Sequence, residues 1–300
     1  MTSTDSQPNE DKLSKLSPER RKLYEQMLAR RAQAAAVRDS QAVVMRPGTE
    51  PRTLVLMNPS GGALFCYVPL TRALREGFPV LGCLSRPGDR AKPIERRLVD
   101  VGARILDELA AELDPSTCVF AGWSFGGCLA FEVARQHAER TGARQPVMIF
   151  DAEYAVDLGV AVPDEEELRR QFVYDVSRLQ GVPTSELGWL VKPLDSLSPI
   201  PDMLARAGVS LDLSEEETAD RYHIFAGAAE ALYRYHPPAP YDGPVYALMA
   251  GAHAATTEAW RRQSTGEFHH LALSGDHYSV FDERNLPRVA HAVEEALARV

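Results

Sequence analysis

The 300-residue chain is 45 % apolar and 25 % charged and carries a formal net charge of −9. That apolar content suits one sizeable core, and the acidic balance argues against nucleic acid as a partner. No apolar run reaches the roughly 20 residues that span a bilayer, and the polar start from Met1 to Lys15 lacks a signal peptide's apolar stretch. A cytoplasmic protein with no membrane partner is expected.

The charge is unevenly spread. Residues 1–48 hold nine Lys and Arg against six Asp and Glu, leaving about −12 on the remainder. Residues 1–15 have the polar composition of a disordered tail. Leu16-Ser17-Pro18-Glu19 then reads as a helix start, with Ser17 as cap and Pro18 at the first helical position. Leu23, Tyr24, Met27 and Leu28 follow at helical spacing, and Ala-rich sequence carries the helix to about residue 37. A second polar stretch reaches about Thr49. Residues 1–48 are thus expected to be a linker segment with one amphipathic helix over about 17–37, and residues 49–300 the folded domain.

From Pro51 short apolar runs alternate with amphipathic segments. The runs are Leu54–Asn58, Phe78–Leu84, Cys118–Trp123, Val147–Phe150, Val245–Ala250 and Phe268–Leu273; helices are expected over about 63–75, 95–113, 126–140 and 286–299. This alternation predicts an α/β fold, a mainly parallel sheet flanked by helices. Residues 155–236 break the pattern with helix-like segments near 163–180, 185–191 and 214–235 and no strand. A helical insertion between two strands reads as a lid over the sheet's C-terminal edge. Cys66, Cys83, Cys118 and Cys128 lack metal-ligand spacing and lie in or beside apolar segments, which reads as buried free thiols and no metal site.

The most informative segment is Cys118-Val119-Phe120-Ala121-Gly122-Trp123-Ser124-Phe125-Gly126-Gly127. An apolar strand runs into G-W-S-F-G and a helix follows at once. Such a turn is tight enough to require small residues two places either side of the serine, and it lifts the Ser124 hydroxyl clear of the sheet. It also leaves the Phe125 N–H at a helix N-terminus, where it can hold an oxyanion. A second donor is expected from the loop Asn58-Pro59-Ser60-Gly61-Gly62, at the Ser60 N–H.

A general base for Ser124 should lie in the loop after the last strand. Of the eight histidines only His277, in Ser274-Gly275-Asp276-His277-Tyr278, follows the last strand and precedes the terminal helix. Three carboxylates compete to orient it. Asp151 ends the strand after the nucleophile strand, Glu258 follows the Val245–Ala250 strand, and Asp276 adjoins the base.

With these residues placed, residues 52–298 resemble the type I (terminal) thioesterase domains of nonribosomal peptide synthetases and polyketide synthases, members of the α/β-hydrolase superfamily. The resemblance rests on G-W-S-F-G-G at 122–127, Arg86-Pro87-Gly88, Gly275-Asp276-His277-Tyr278, and Tyr233-Arg234-Tyr235-His236-Pro237 through Tyr241-Asp242-Gly243-Pro244-Val245. It implies an α/β-hydrolase fold with a helical lid. It also favours Asp151, 27 residues beyond Ser124, as the acid. By the same resemblance Ser124 is the nucleophile, His277 the base, and Phe125 and Ser60 the oxyanion donors. Trp123, in place of the His usual in discrete editing (type II) thioesterases, matches the terminal class and is expected to touch substrate.

The implied reaction moves an acyl chain from the phosphopantetheine thioester of an acyl or peptidyl carrier protein onto Ser124, then to water or to an internal nucleophile. It needs no metal or other cofactor of the chain's own. Arg86, Arg90, Lys92, Arg96 and Arg97 form a basic stretch suited to an acidic carrier protein, or simply a solvated face. An editing thioesterase or other serine ester hydrolase is the alternative, and a non-catalytic module that keeps the fold is a third reading.

Overall fold

Strands form where short apolar runs lie between turn residues. The computed structural model describes residues 42–85, 97–153, 161–191, 199–211, 213–251 and 254–300. The expected helix over 17–37 and the residues Arg86, Arg90, Lys92 and Arg96 lie outside them. Among the described residues one sheet contains β1 (Ala42–Arg46), β2 (Thr53–Met57), β3 (Val80–Cys83), β4 (Cys118–Trp123), β5 (Val147–Phe150), β6 (Val245–Ala250) and β7 (Phe268–Leu273). Their spatial order is β1-β3-β2-β4-β5-β6-β7, and every neighbouring pair is parallel except β1 with β3.

β1 lies ahead of residue 49, where the folded domain is expected to begin. Its side chains are only half-buried or exposed, so it offers no apolar run to read. What holds it is Arg46, whose guanidinium donates to the carbonyls of Thr71 (2.8 Å), Leu74 (2.9 Å) and Phe78 (3.0 Å).

The central strands are buried on both faces, which is why they read as continuous apolar runs. Val55, Met57, Phe120 and Ile149 face α2 (Leu98–Glu112) and α3 (Phe125–Thr141). The alternate residues Leu54, Leu56, Val119, Met148 and Phe150 face α1 (Val68–Ala73) and, near the C-terminus, the last helix, Leu286–Leu297.

Between β5 and β6 the chain forms α4 (Glu165–Leu179), α5 (Ile200–Arg206) and α6 (Glu215–Tyr233). Asp164 caps α4 by accepting from the Glu167 N–H at 2.8 Å, and Ser214 with Glu217 forms a capping box on α6. Phe172, Leu187, Leu190, Met203, Tyr222 and Phe225 give this insertion its own small core. Two helices depart from the sequence expectation. α5 follows Pro199, carries Pro201 in its first turn and ends just before Gly208, a composition that reads as loop; α7 (Ala254–Arg262) follows β6. The last helix is α8 (Leu286–Leu297). Among the described residues no helix is long and apolar enough to cross a membrane.

Candidate active site

Ser124 stands alone between the end of β4 and the start of α3. Its φ of 58° and ψ of −129° lie where L-residues are strained, and such strain persists only where the surroundings enforce it. The enforcement is visible in the flanking glycines. A Cβ on Gly122 would lie 2.0 Å from the Gly126 carbonyl oxygen, and one on Gly126 would lie 2.4 Å from the Met57 carbonyl oxygen. The turn is pinned as well: the Ser124 N–H donates to the Phe150 carbonyl (3.0 Å) and the Ser124 carbonyl accepts from the Gly127 N–H (2.9 Å).

The Phe125 amide begins α3, where N–H groups stand outside the helical ladder. Ser60 opens onto the same cavity as Ser124. Its loop is held by buried Asn58, whose Nδ2 donates to the Pro59 carbonyl (2.8 Å) and whose Oδ1 accepts from the Ser85 hydroxyl (3.1 Å). Tyr67, a residue that no sequence motif flagged, joins this loop to the serine turn. Its hydroxyl donates to the Met57 carbonyl at 2.6 Å and accepts from the Trp123 N–H at 2.7 Å. Burial pushes its pKa well above the ordinary tyrosine value, so it stays a neutral hydroxyl.

Asp151 follows β5 with φ 45°, a bend that turns its side chain under His277. Its Oδ2 lies 2.7 Å from His277 Nδ1, and its Oδ1 accepts from the Ala250 N–H at 2.8 Å. The carboxylate is buried and presents a fixed acceptor to Nδ1, the kind of contact that sets which ring nitrogen carries the proton. The competing carboxylates sit elsewhere. Glu258 is exposed on α7, 3.6 Å from Arg261. Asp276 caps the short turn His277–Ser279, with Oδ1 accepting from the Tyr278 N–H (3.0 Å) and the Ser279 hydroxyl (2.8 Å).

The loop carrying His277 is fastened from below by Asn285, buried at the start of α8. Asn285 Nδ2 donates to the carbonyls of Ser274 and Ser279, both at 2.8 Å, and Oδ1 accepts from the Ser274 N–H at 3.0 Å. Asn-Leu-Pro at 285–287 is a readable helix-start signal, but its service to the loop is not. Trp123, expected to touch substrate, is buried and not among the residues lining the cavity; its indole stacks on the His277 ring, with centroids 4.8 Å apart. The strand's alternation turns residue 123 toward His277.

Ser60, Ser124, Asp151 and His277 all border one cavity of about 520 Å³ beneath the helical insertion. α4 contributes a polar wall, with Glu167, Arg170, Gln171 and Asp175, whereas Phe225, Ala229 and Leu232 of α6 make an apolar one. None of the four cysteines is among the cavity's lining residues; Cys83, Cys118 and Cys128 are buried, and burial raises the Cys83 and Cys118 thiols to about 12. Among the described residues no group of three or more potential ligands could hold a metal. Arg97, the described member of the basic stretch, is exposed and pairs with Asp100 at 3.6 Å.

The family model for the thioesterase domain matches residues 52–297. The chain belongs to that family. This thioesterase domain is 24 % identical over 256 residues to the thioesterase frbE of Dothideomycetidae sp. (strain 11243), covering 80 % of this chain and 87 % of frbE. It is 23 % identical over 271 residues to the nonribosomal peptide synthetase btyA of Aspergillus terreus, covering 85 % of this chain and 29 % of that one. It therefore spans most of frbE and under a third of btyA. The NocB thioesterase domain, solved as a covalent complex with a fluorophosphonate nocardicin G analogue, superposes with a TM-score of 0.63 at 22 % identity, covering 86 % of this chain and 100 % of that one. The shared architecture is the α/β-hydrolase fold.

Proposed function

We propose that this thioesterase domain releases an acyl chain, polyketide or peptide, from the phosphopantetheine thioester of an acyl or peptidyl carrier protein. Ser124 is the nucleophile, His277 the general base and Asp151 the residue that fixes its tautomer. The observation that carries this reading is the 2.7 Å contact of buried Asp151 with His277 Nδ1, above a cavity that also holds the strained Ser124.

In the first half-reaction His277 Nε2 takes the Ser124 proton as Oγ attacks the thioester carbonyl. The amides of Phe125 and Ser60 receive the oxyanion, the C–S bond breaks, and the departing thiolate takes the proton from His277. An acyl–Ser124 ester remains. Water, or a hydroxyl or amine on the same chain, then attacks; His277 accepts its proton and returns it to Ser124 Oγ as the ester C–O bond breaks. Hydrolysis or cyclisation follows from which nucleophile arrives. No cofactor enters either half. Residues 155–236 serve as the lid of a domain beginning near residue 42.

Intact-mass measurement with synthetic acyl thioesters tests the reading. The expected result is an acyl adduct that maps to Ser124, is absent in Ser124→Ala, and resolves into linear or cyclic product. Turnover by Ser124→Ala at the wild-type rate would sink it.

A further inference from the structure

The helical insertion and the base loop touch on both sides of His277. Arg178 Nη2 donates to Asp276 Oδ2 at 2.7 Å, and the Tyr278 hydroxyl donates to Asp175 Oδ1 at 3.1 Å. Asp175 and Arg178 are one turn apart on α4, so the helix presents both to the same loop. The residues gripped are the immediate neighbours of the base.

Asp276 is exposed, whereas Arg178, Asp175 and Tyr278 are each half-buried. The Arg178 guanidinium lies 5.0 Å from the centre of the Tyr278 ring, its Nη1 donates to the Val182 carbonyl at 3.0 Å, and its side chain is 15 % exposed. Tyr174, one residue before Asp175, sets its ring 6.2 Å from that of Tyr278. Asp175 borders the catalytic cavity, and its burial raises the carboxyl to about 6 while the nearby His277 works in the opposite direction. The other groups around His277 are Asp151 from β5, Asp276 and Tyr278 from its own loop, and the indole of Trp123 from β4.

We propose that Asp175 and Arg178 are positioning residues, a two-point latch through which the helical insertion holds the base loop, and with it His277, in line with Asp151 and Ser124. The proposal rests on the catalytic reading above. Asn285 and Trp123 hold the loop from beneath, and the latch holds it from the cavity side. Displacement of α4 to admit a chain therefore releases one of the two grips on the base, and closure restores it. The lid and the proton-transfer apparatus act as one unit: the base is fully oriented only when the insertion lies over the site.

The test uses the full chain and a short acyl N-acetylcysteamine thioester, too small to depend on the whole cavity wall. Arg178→Ala, Arg178→Lys, Asp175→Ala and Asp175→Asn are compared with Arg169→Ala. Arg169 is on the same helix but pairs with Glu165 and lies over Tyr222, away from the base loop. Expected for Arg178→Ala is a roughly ten- to hundredfold fall in kcat and in the rate of fluorophosphonate labelling, with KM nearly unchanged. Arg178→Lys restores most of the loss, and Arg169→Ala stays within about threefold of wild type. Asp175→Ala removes the acceptor for the Tyr278 hydroxyl, and its kcat falls about tenfold with KM nearly unchanged; Asp175→Asn, which keeps an acceptor there, restores most of that loss. The latch is overturned if Arg178→Ala behaves like Arg169→Ala, or if Asp175→Asn loses as much as Asp175→Ala. Should Arg178→Ala fail to fold by near-ultraviolet circular dichroism, the comparison of Asp175→Ala with Asp175→Asn decides. A wild-type chain that takes no label at Ser124 would instead remove the catalytic reading, an outcome distinct from failure of the latch.

Discussion

Trp123 and His277 lie nearly parallel, with ring centroids 4.8 Å apart and 29° between their planes, and Trp123 Nε1–H donates to the His277 carbonyl at 3.0 Å. The residue before Ser124 thus supports His277, the base in the proposed reaction. One strand end delivers the serine to the cavity and, one position earlier, a platform under His277.

That geometry separates support from substrate contact. Trp123→Phe keeps an aromatic face and loses the donor; Trp123→Ala also leaves a void beneath the ring. Expected losses in kcat are about tenfold and about a hundredfold, with KM little changed because the indole does not line the cavity. Steady-state kinetics on one thioester decide it. A raised KM with intact kcat would mean that the ring meets substrate after all.

Asp151→Asn tests the acid. The Ala250 N–H needs an acceptor, so the Asn carbonyl stays with it and the amide NH₂ faces Nδ1. The imidazole is then held in the wrong tautomer, and kcat should fall about 10⁴-fold with the fold intact. Glu258→Gln should leave the rate unchanged, since Glu258 is exposed and pairs only with nearby Arg261 among the contacts described. Equal losses in both variants would defeat the assignment.

Asn285→Ala should weaken both fold and activity. It removes two donors and one acceptor from loop carbonyls and an amide at Ser274 and Ser279, groups that the loop cannot all return to water. A loss of about 1–3 kcal/mol in a urea melt is expected, together with a fall in kcat larger than any change in KM. Asn285→Asp keeps the acceptor and loses the donors, so it should fall between wild type and Ala.

Much of this was legible in sequence because the fold's punctuation is local. Gly122 and Gly126 announce the serine turn, and short apolar runs mark β2 to β7. Asp151 was separable from Glu258 only through family resemblance, since both follow a strand; the three-dimensional bend at φ 45° distinguishes them. β1 escaped notice because its side chains are never fully buried and a single arginine, Arg46, ties it to distant carbonyls. Tyr67, Asn285 and Arg178 act through contacts 56, 11 and 98 residues away in sequence, and no periodicity records such pairings. The G-W-S-F-G motif marks Trp123 as the neighbour of Ser124, but its stacking on His277 joins residues 154 apart, a pairing no motif records.

Asp175 also predicts a pH dependence of stability. Burial is the largest cause of its raised pKa, from 3.8 to about 6, and His277 and the Tyr278 hydroxyl oppose it. A carboxyl whose folded value exceeds its unfolded one binds more protons in the folded state between about pH 4 and pH 6. Its contribution to stability is therefore lost as pH rises through that window, and the cost of ionising it in place is complete above pH 6. Asp175→Asn removes the cost while keeping the acceptor for Tyr278. The side chain retains some surface toward the cavity, which tempers the effect, so the variant should gain about 1–2 kcal/mol at pH 7.5. Near pH 3.5 it should match the wild type, since both side chains are then neutral. Urea melts of the two proteins at pH 3.5, 5, 6 and 7.5 give the difference directly, free of the other groups that titrate in both. An offset that is constant across the four pH values would show that the Asp175 carboxyl is not perturbed, and would leave only its hydrogen bond to tie the insertion to the base loop.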